Sequence, residues 1–287
     1  MTNTEIIEKT KEEIKLRGLS PITESDYIEK LKIFMRYYGE QPICEMSEVE
    51  IRAFLLHQVE RGLASGTVNI YNSALRFVFG AVIGRTLNYQ MIPRRRIHRD
   101  LPTIINKTDI VRVLDNIDNL RDKAIFMTIY GSGLRLCEIV RLRVQDIDSA
   151  NMRIFVHQGK GGKNRYTLLS EQALEILREY WRQYRPNHRD GYLFLSRDRS
   201  KQIHWRTVQD AMKKHLKSAG IKQNYTVHTL RHCFATHLLE SGVDVCRIKQ
   251  LMGHTHIQST TFYLHLLNFD GSIKSPLDTL PNGGVRR

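Results

Sequence analysis

One break divides the sequence into two long stretches of helical pattern. Residues 93–107 read PRRRIHRDLPTIINK, and Pro93 and Pro102 both stop helices because proline lacks the amide donor that a helix needs. In residues 1–92, apolar side chains recur at steps of three and four, which predicts a domain of four or five helices. We therefore expect a helical domain over 1–92, a basic linker over 93–107 and a second domain over 108–287.

The second domain mixes helical and strand patterns. Its helices are predicted at 109–118, 121–130, 171–183, 205–218, 229–240 and 244–252. Short strands at Met152–Val156 and Tyr166–Leu169 flank the glycine-rich segment 159–163, which predicts a β-hairpin. The expected fold is mainly α with a small antiparallel β-sheet. The glycine- and proline-containing tail 270–287 is expected to fray.

Charge and cysteine content narrow the class of protein. The 287 residues include 44 Lys and Arg against 30 Asp and Glu, a formal net charge of +14 that favours a polyanionic partner, nucleic acid before membrane. The charged N-terminus is not a signal peptide, and no apolar run is long enough to span a bilayer. Four widely spaced cysteines form no disulfide framework, so we expect a reduced cytoplasmic protein.

Two motifs are suited to holding a phosphate. In the segment GSGLRLCE, Gly133 leads into a helix start that displays Arg135, and Glu138 follows three residues later. Helix starts attract phosphate, and arginine adds a permanently charged planar fork. In HTLRH, His228 and Arg231 share one helical face, which suits a phosphate held by arginine and approached by a proton carrier. Read alone, the first motif is more typical of a surface arginine paired with glutamate, and the second is more typical of an exposed basic helix end.

Two further readings concern histidine and tyrosine. Zinc binding would draw on His228, His232, Cys233 and His237, but no acidic ligand or paired cysteine accompanies them, so no metal site is predicted. His254 is followed nine residues later by Tyr263, which lies in an apolar stripe. By itself, Tyr263 would be read as a core tyrosine.

Together, these motifs resemble the tyrosine recombinase (phage integrase) family. The matching elements are G-L-R with a glutamate three residues later, G-K-G-x-K, H-x-L-R-H-x-F-A-T-H, L-M-G-H and a tyrosine nine residues after that histidine. The order and spacing of six such elements are specific, and the resemblance covers nearly the whole chain. It implies an all-α, SAM-like domain that binds core DNA, followed by an α+β catalytic domain.

The resemblance also implies a catalytic set and a reaction. The set is Arg135, Lys160, His228, Arg231, His254 and Tyr263. Tyr263 would attack a DNA phosphodiester and form a 3′-phosphotyrosyl link, with His228 accepting its proton and Lys160 protonating the departing 5′ oxygen. The two arginines would stabilise the transition state, and His254 would hydrogen-bond the phosphate. Lys163 is the alternative to Lys160, and Glu138 is expected to orient Arg135.

No cofactor is expected for this chemistry. The sequence contains no P-loop motif and no apparent D-D-E-type acidic cluster, which agrees with a reaction that needs neither ATP nor metal. The implied partners are double-stranded DNA with short inverted core sites and three further copies of the chain in a tetramer. Contacts between protomers are expected from the C-terminal tail, where Leu264, Leu266 and Leu267 follow the tyrosine.

DNA contacts are predicted from basic residues in both domains. The arginines of the linker, expected at the hinge of a clamp around DNA, are Arg94, Arg95, Arg96 and Arg99. Groove-facing candidates on two helices are Arg76, Arg206, Lys213 and Lys214. These four are equally well explained as solvated helix faces.

The biological setting is left open by the sequence. With no arm-binding domain ahead of the helical module, a two-domain integrase or transposase of a mobile element is expected first, and an Xer-like chromosome-dimer resolvase next. The segment 275–278 resembles the tail of integron integrases, but the stretch from Lys160 to His228 lacks their insertion. The rival functions are a type IB topoisomerase-like DNA relaxase and a non-catalytic, sequence-specific DNA-binding accessory protein.

Overall fold

The computed structural model describes residues 1–39, 41–97, 103–157 and 164–253. The chain divides into two compact units, Met1–Arg99 and Asp100–Arg287. Helices predominate, and a single small sheet occurs in the described part of the second unit. No helix within the described ranges is both long and apolar enough to cross a membrane.

The first unit is helical, as its sequence pattern predicts. Its helices are α1 (Asn3–Leu16), α2 (Pro21–Tyr37), α3 (Glu48–Glu60) and α4 (Ser65–Phe77), and α4 continues into a π-helical segment, Val78–Val82. The S-E-V-E pattern of residues 47–50 is typical of a capping box. Ser47 caps α3, and the Glu50 carboxylate accepts the Ser47 amide at 2.8 Å. The helix α4 begins at Ser65 after Ala64, whose side chain forms no capping hydrogen bond.

Aromatic side chains fill the core of the first unit. The Phe34 and Phe54 rings meet edge to face at 4.9 Å, and Tyr71 meets Phe54 at 5.5 Å. All three side chains are buried, and such burial contributes about 1.5–3 kcal/mol for each large apolar side chain. This packing fixes α4 against α2 and α3.

The second unit is built around one central helix. Its helices are α5 (Lys107–Asp115), α6 (Leu120–Ser132), α7 (Leu136–Val140), α8 (Glu171–Tyr184), α9 (Trp205–Ser218), α10 (Val227–Glu240) and α11 (Val245–Met252). Apolar residues of α6 point in several directions and are buried, including Ala124, Phe126 and Ile129. Because α6 packs against both α8 and α10, the residues that follow its end lie beside α10.

Three short strands complete the second unit. The strands β1 (Ile147–Asp148), β2 (Arg153–Val156) and β3 (Arg165–Leu168) form an antiparallel sheet in that order. Ile154 pairs with Thr167, which confirms the predicted hairpin, whereas β1 was not predicted because two residues carry no readable period. The hairpin segment 158–163 and the tail after residue 253 lie outside the described residues.

Both ends of the basic segment 93–107 have contacts with folded parts of the chain. Residues 93–95 are hydrogen-bonded to α4 in the first unit. At the other end, Ile105 is buried in the core of the second unit, and Asn106 caps α5. Side-chain hydrogen bonds and burial therefore fix both ends of the basic segment, which sequence composition alone had presented as a loop.

Candidate active site

A glycine turn places the first arginine of the site. Gly133 ends α6 with φ +62°, a left-handed conformation that favours glycine. A Cβ at this position would also collide with the Phe234 ring on α10, so the close packing of the two segments requires glycine. The chain then turns within two residues, and Arg135 becomes the N-cap residue of α7.

Glu138 holds Arg135 in position. Its carboxylate accepts the Arg135 backbone amide and one guanidinium N–H, both at 2.8 Å. The Glu138 side chain is only 5% exposed, and the pKa of this buried carboxyl is lowered to about 2 by hydrogen bonds and charge from Arg165 and Arg135, which outweigh burial. Glu138 is therefore ionised at neutral pH, and its expected role in orienting Arg135 agrees with these contacts.

Arg231 is held from inside the protein. Its side chain is 1% exposed, an uncommon state for arginine, which normally requires paired charges and hydrogen bonds. Its guanidinium donates to the Gly133 carbonyl, and also to the Met252 carbonyl at 2.6 Å. It lies 3.9 Å from the Glu138 carboxylate. The Gly133 turn and α10 thus bring Arg135 and Arg231 to one carboxylate.

His228 lies in the first turn of α10, one turn before Arg231. Loss of water around its ring lowers the His228 pKa, and the positive charges of Arg231 and then Arg135 lower it further. The residue is exposed to solvent. A lowered pKa leaves the imidazole neutral at pH 7, so this ring is able to accept a proton. Three of the six predicted catalytic residues therefore lie in one neighbourhood.

Sequence reasoning missed a third arginine at this site. Arg165, the first residue of β3, donates twice to Glu138, with both bonds at 2.8 Å. A signal was present, because a strand has a period of two and Arg165 shares a face with the buried Thr167. A charged residue on the buried face of a strand indicates an internal partner.

The other three predicted catalytic residues, Lys160, His254 and Tyr263, lie outside the described residues, as does Lys163. Two of the zinc candidates have other partners: the Cys233 thiol contacts the Ile105 backbone, and the His237 ring lies 2.9 Å from the Tyr130 hydroxyl. Within the described ranges, no group of three His, Cys, Asp or Glu side chains is placed to hold a metal ion.

The sequence on both sides of the break matches known domain families. Residues 103–268, more than half of the chain, match the phage integrase family. The chain belongs to this family. It is a tyrosine recombinase, an enzyme that transfers DNA strands. Residues 6–89 match the N-terminal SAM-like domain of phage integrases, which agrees with the expected first domain.

Individual relatives extend this similarity over nearly the whole recombinase. It is 33% identical over 272 residues to tyrosine recombinase XerD of Lacticaseibacillus casei, covering 88% of this chain and 90% of the relative. Identity to tyrosine recombinase XerA of Pyrococcus horikoshii is 31%, covering 92% and 90%. The Tn1549 transposon integrase, solved in complex with transposon right end DNA, has the same fold, with a TM-score of 0.73, 19% identity and coverage of 94% and 96%.

The arginine-rich segment of this recombinase is held against α4 by hydrogen bonds. The Asn69 side chain forms two hydrogen bonds with the Arg95 backbone, one to its amide and one to its carbonyl, both at 2.9 Å. Asn72 donates to the Pro93 carbonyl at 3.1 Å. The side chains of the adjacent basic residues are exposed; these residues are Arg94, Arg95 and Arg96. Arg99 lies outside the described residues.

Arg76 has a structural role in the first unit of the recombinase. Its guanidinium donates to Asn72 and to the Leu87 carbonyl, both at 2.8 Å, and to the Ile92 carbonyl at 2.6 Å. It also stacks on the Tyr89 ring at 4.5 Å. Since these donors hold the segment after α4, we do not include Arg76 among the proposed DNA contacts.

We expect Arg76→Met to destabilise the first unit rather than to remove a DNA contact. Loss of charged hydrogen bonds to backbone carbonyls should lower the free energy of unfolding by about 1.5–3 kcal/mol, measured by urea denaturation. Arg206→Met is a control, because Arg206 is exposed on α9 and should change stability by less than about 0.5 kcal/mol. A stable Arg76→Met protein with weakened DNA affinity would return Arg76 to the DNA interface.

The candidates on α9 remain predictions. Lys213 and Lys214 are exposed, and the exposed Arg206 lies 5.1 Å from the centre of the Trp205 ring. These positions permit contact with DNA but are equally typical of a solvated helix face. They are therefore weaker candidates than the arginines fixed on α4.

Proposed function

We propose that this recombinase cleaves and rejoins DNA at specific sites through a covalent bond between Tyr263 and a 3′ phosphate. The Tyr263 oxygen attacks phosphorus and its proton passes to His228. The bond from phosphorus to the 5′ oxygen breaks, and Lys160 donates a proton to that oxygen. His254 hydrogen-bonds the phosphate. A 5′-hydroxyl from a second duplex then reverses these steps and completes strand transfer.

The convergence of Arg135, Arg231 and His228 is the observation that carries this proposal. Two guanidiniums beside one carboxylate leave positive charge for a phosphate, and both lower the pKa of the adjacent imidazole. Attack on a phosphodiester adds negative charge in the transition state, which fixed donors of this kind stabilise. The neutral histidine beside them supplies the proton acceptor that a phenol with a free pKa of about 10 requires.

The phosphotyrosyl link makes a separate energy source unnecessary. It replaces one phosphate ester by another, so the energy of the original bond is retained for rejoining. We therefore propose that the reaction needs neither ATP nor a metal ion. Strand exchange between two duplexes calls for four active sites, so the working form is a tetramer on two duplex core sites with short inverted repeats, held together by contacts of the C-terminal tail. We place this activity in the cytoplasm and in the setting of a mobile element.

The test begins with a binding site selected from random duplex DNA. Purified full-length protein is then incubated with a nicked duplex carrying that site, in EDTA and without ATP. We expect a covalent adduct at a 3′ phosphate and, with intact duplexes, exchanged strands. Relaxation of plasmid DNA by a monomer without exchange would favour the topoisomerase-like function, and binding without any adduct would favour the accessory protein.

We expect the exposed arginines of the segment that is hydrogen-bonded to α4 to set the salt dependence of DNA binding. Replacing Arg94, Arg95 and Arg96 together by glutamine should reduce the slope of log affinity against log salt by about 0.9 for each lost phosphate contact. A charge-matched control replaces Lys9, Lys15 and Arg17 of the α1 region and should keep the slope. Equal slopes of log affinity against log salt for the wild type and the triple glutamine variant would contradict this role.

A further inference from the structure

Arg165 occupies a central place among the charged groups of the site. Its side chain is 9% exposed, and its two terminal nitrogens pair with the two oxygens of Glu138, each at 2.8 Å. Such a bidentate pair fixes the plane of the carboxylate as well as its distance. The same carboxylate binds the Arg135 amide and guanidinium, so the orientation of Arg135 depends on Arg165 through Glu138.

The three arginines also hold the end of α11. Three consecutive backbone carbonyls each accept a hydrogen bond from a different guanidinium. The pairs are Arg165 with Leu251 (2.8 Å), Arg231 with Met252 (2.6 Å) and Arg135 with Gly253 (3.1 Å). The last carbonyls of a helix lack partners within the helix and form its negative end, which favours cations there.

Gly253 fits closely against Arg165. The glycine ends α11 with φ +62°, and a Cβ built on it would lie 2.7 Å from Arg165 Cδ. Any side chain larger than that of glycine at position 253 would therefore collide with the Arg165 side chain. Because Gly253 immediately precedes His254 in the sequence, the contact fixes the point from which that residue follows.

Arg165 also sets the charge available to a phosphate. Among the described residues, three guanidiniums share the single carboxylate of Glu138, so positive charge exceeds negative charge within this group of four side chains. Without Arg165, Glu138 would neutralise a larger share of the charge on Arg135 and Arg231. The carboxylate would also lose two of its four hydrogen bonds while it stays buried, which favours rearrangement of its neighbours.

We propose that Arg165 is a positioning residue for strand cleavage, which links β3, the Arg135–Glu138 pair and the end of α11 that leads to His254. It does not touch the DNA. Its effect on the reaction passes through Arg135 and through the backbone at Gly253. The inference rests on the proposed function, because it concerns the geometry of that same site.

The test measures adduct formation on the nicked duplex defined above, with full-length Arg165→Lys and Arg165→Met proteins. We expect both variants to form the adduct about 10²-fold more slowly, since misplacement of catalytic groups by about 1 Å has a cost of this size. Their affinity for the intact duplex should equal that of the wild type. Arg153→Met is the matched control, because Arg153 lies on the neighbouring strand, has a side chain that is 42% exposed and pairs with Asp148 instead.

A pH series separates positioning from a general loss of structure. The groups that face Glu138 are Arg135 from the start of α7, Arg165 from β3 and Arg231 from α10. Removing Arg165 should raise the pKa of Glu138, since its hydrogen bonds and charge are the main causes that lower it. The rate of Arg165→Met relative to wild type should therefore fall further from neutral pH to about pH 5. Adding Glu138→Gln should remove this extra dependence.

The outcomes are distinguishable. An Arg165→Lys protein that cleaves like the wild type would overturn the inference alone, and so would a slow Arg165→Met protein whose relative rate does not vary with pH. Failure of both Arg165 variants to fold, while Arg153→Met folds, would assign Arg165 to stability alone and would also overturn it. If the wild type forms no adduct on the selected DNA, the proposed function itself fails.

Discussion

Replacement of Tyr263 by phenylalanine is expected to abolish the covalent protein–DNA adduct and to leave DNA binding unchanged. Phenylalanine keeps the ring but lacks the oxygen that attacks phosphorus, so the covalent bond between the protein and the DNA cannot form. Adducts on the nicked duplex are counted by denaturing gel electrophoresis, and binding is measured by gel shift on the intact duplex. No adduct above background is expected.

Tyr184→Phe provides a control for this prediction. Tyr184 lies on α8, where its ring stacks on Tyr180 at 5.0 Å, and its hydroxyl has no place in the proposed reaction. This variant should form the adduct at the wild-type rate. If Tyr263→Phe still forms 3′ adducts, the nucleophile is a different residue and the proposed set of catalytic groups is wrong.

Arg135→Lys and Arg231→Lys are each expected to slow adduct formation by about 10²–10³-fold. Removal of one preorganised donor to a developing oxyanion has a cost of this order, and lysine cannot reproduce the planar fork of arginine. Single-turnover rates on the nicked duplex measure the effect. Arg141→Lys is the control, because Arg141 follows α7 directly and is exposed.

Stability must be measured beside these rates, most of all for Arg231. This side chain is 1% exposed and holds the carbonyls of Gly133 and Met252, so lysine there also disturbs packing. Measurements of thermal unfolding and of DNA affinity for each variant distinguish disturbed packing from a direct effect on the reaction. A folded Arg135→Lys protein with normal binding and a normal rate would show that Arg135 does not stabilise the transition state.

Sequence patterns predict elements whose signal is local. The helix α9 begins and ends at its predicted residues, 205 and 218, because its apolar face has a clear helical period. The capping box at Ser47 is equally local, since its two partners are three residues apart. The GSGLRLCE motif predicts the start of α7 at Arg135 but not where this helix ends, and the strand β1 was not predicted, because five residues and two residues hold too little periodicity to read.

Long-range partners account for the parts of the site that the sequence did not predict. The spacing of His228 and Arg231 on one helix was readable, but the pairing of Glu138 with Arg165 joins residues 27 positions apart. The hydrogen bonds of Arg76 were not predicted for the same reason, because its acceptors at Leu87 and Ile92 belong to a segment without regular structure. The sequence shows that a helix carries an arginine, but the acceptors of its hydrogen bonds are known only from the folded structure.

The most direct test of the proposed chemistry is to identify the residue that carries the DNA. The adduct formed on the nicked duplex is digested with protease and nuclease, and the modified peptide is sequenced by mass spectrometry. The proposal predicts a nucleotide attached through its 3′ phosphate to the side-chain oxygen of Tyr263. A nucleotide on any other residue, or one attached through a 5′ phosphate, would contradict it.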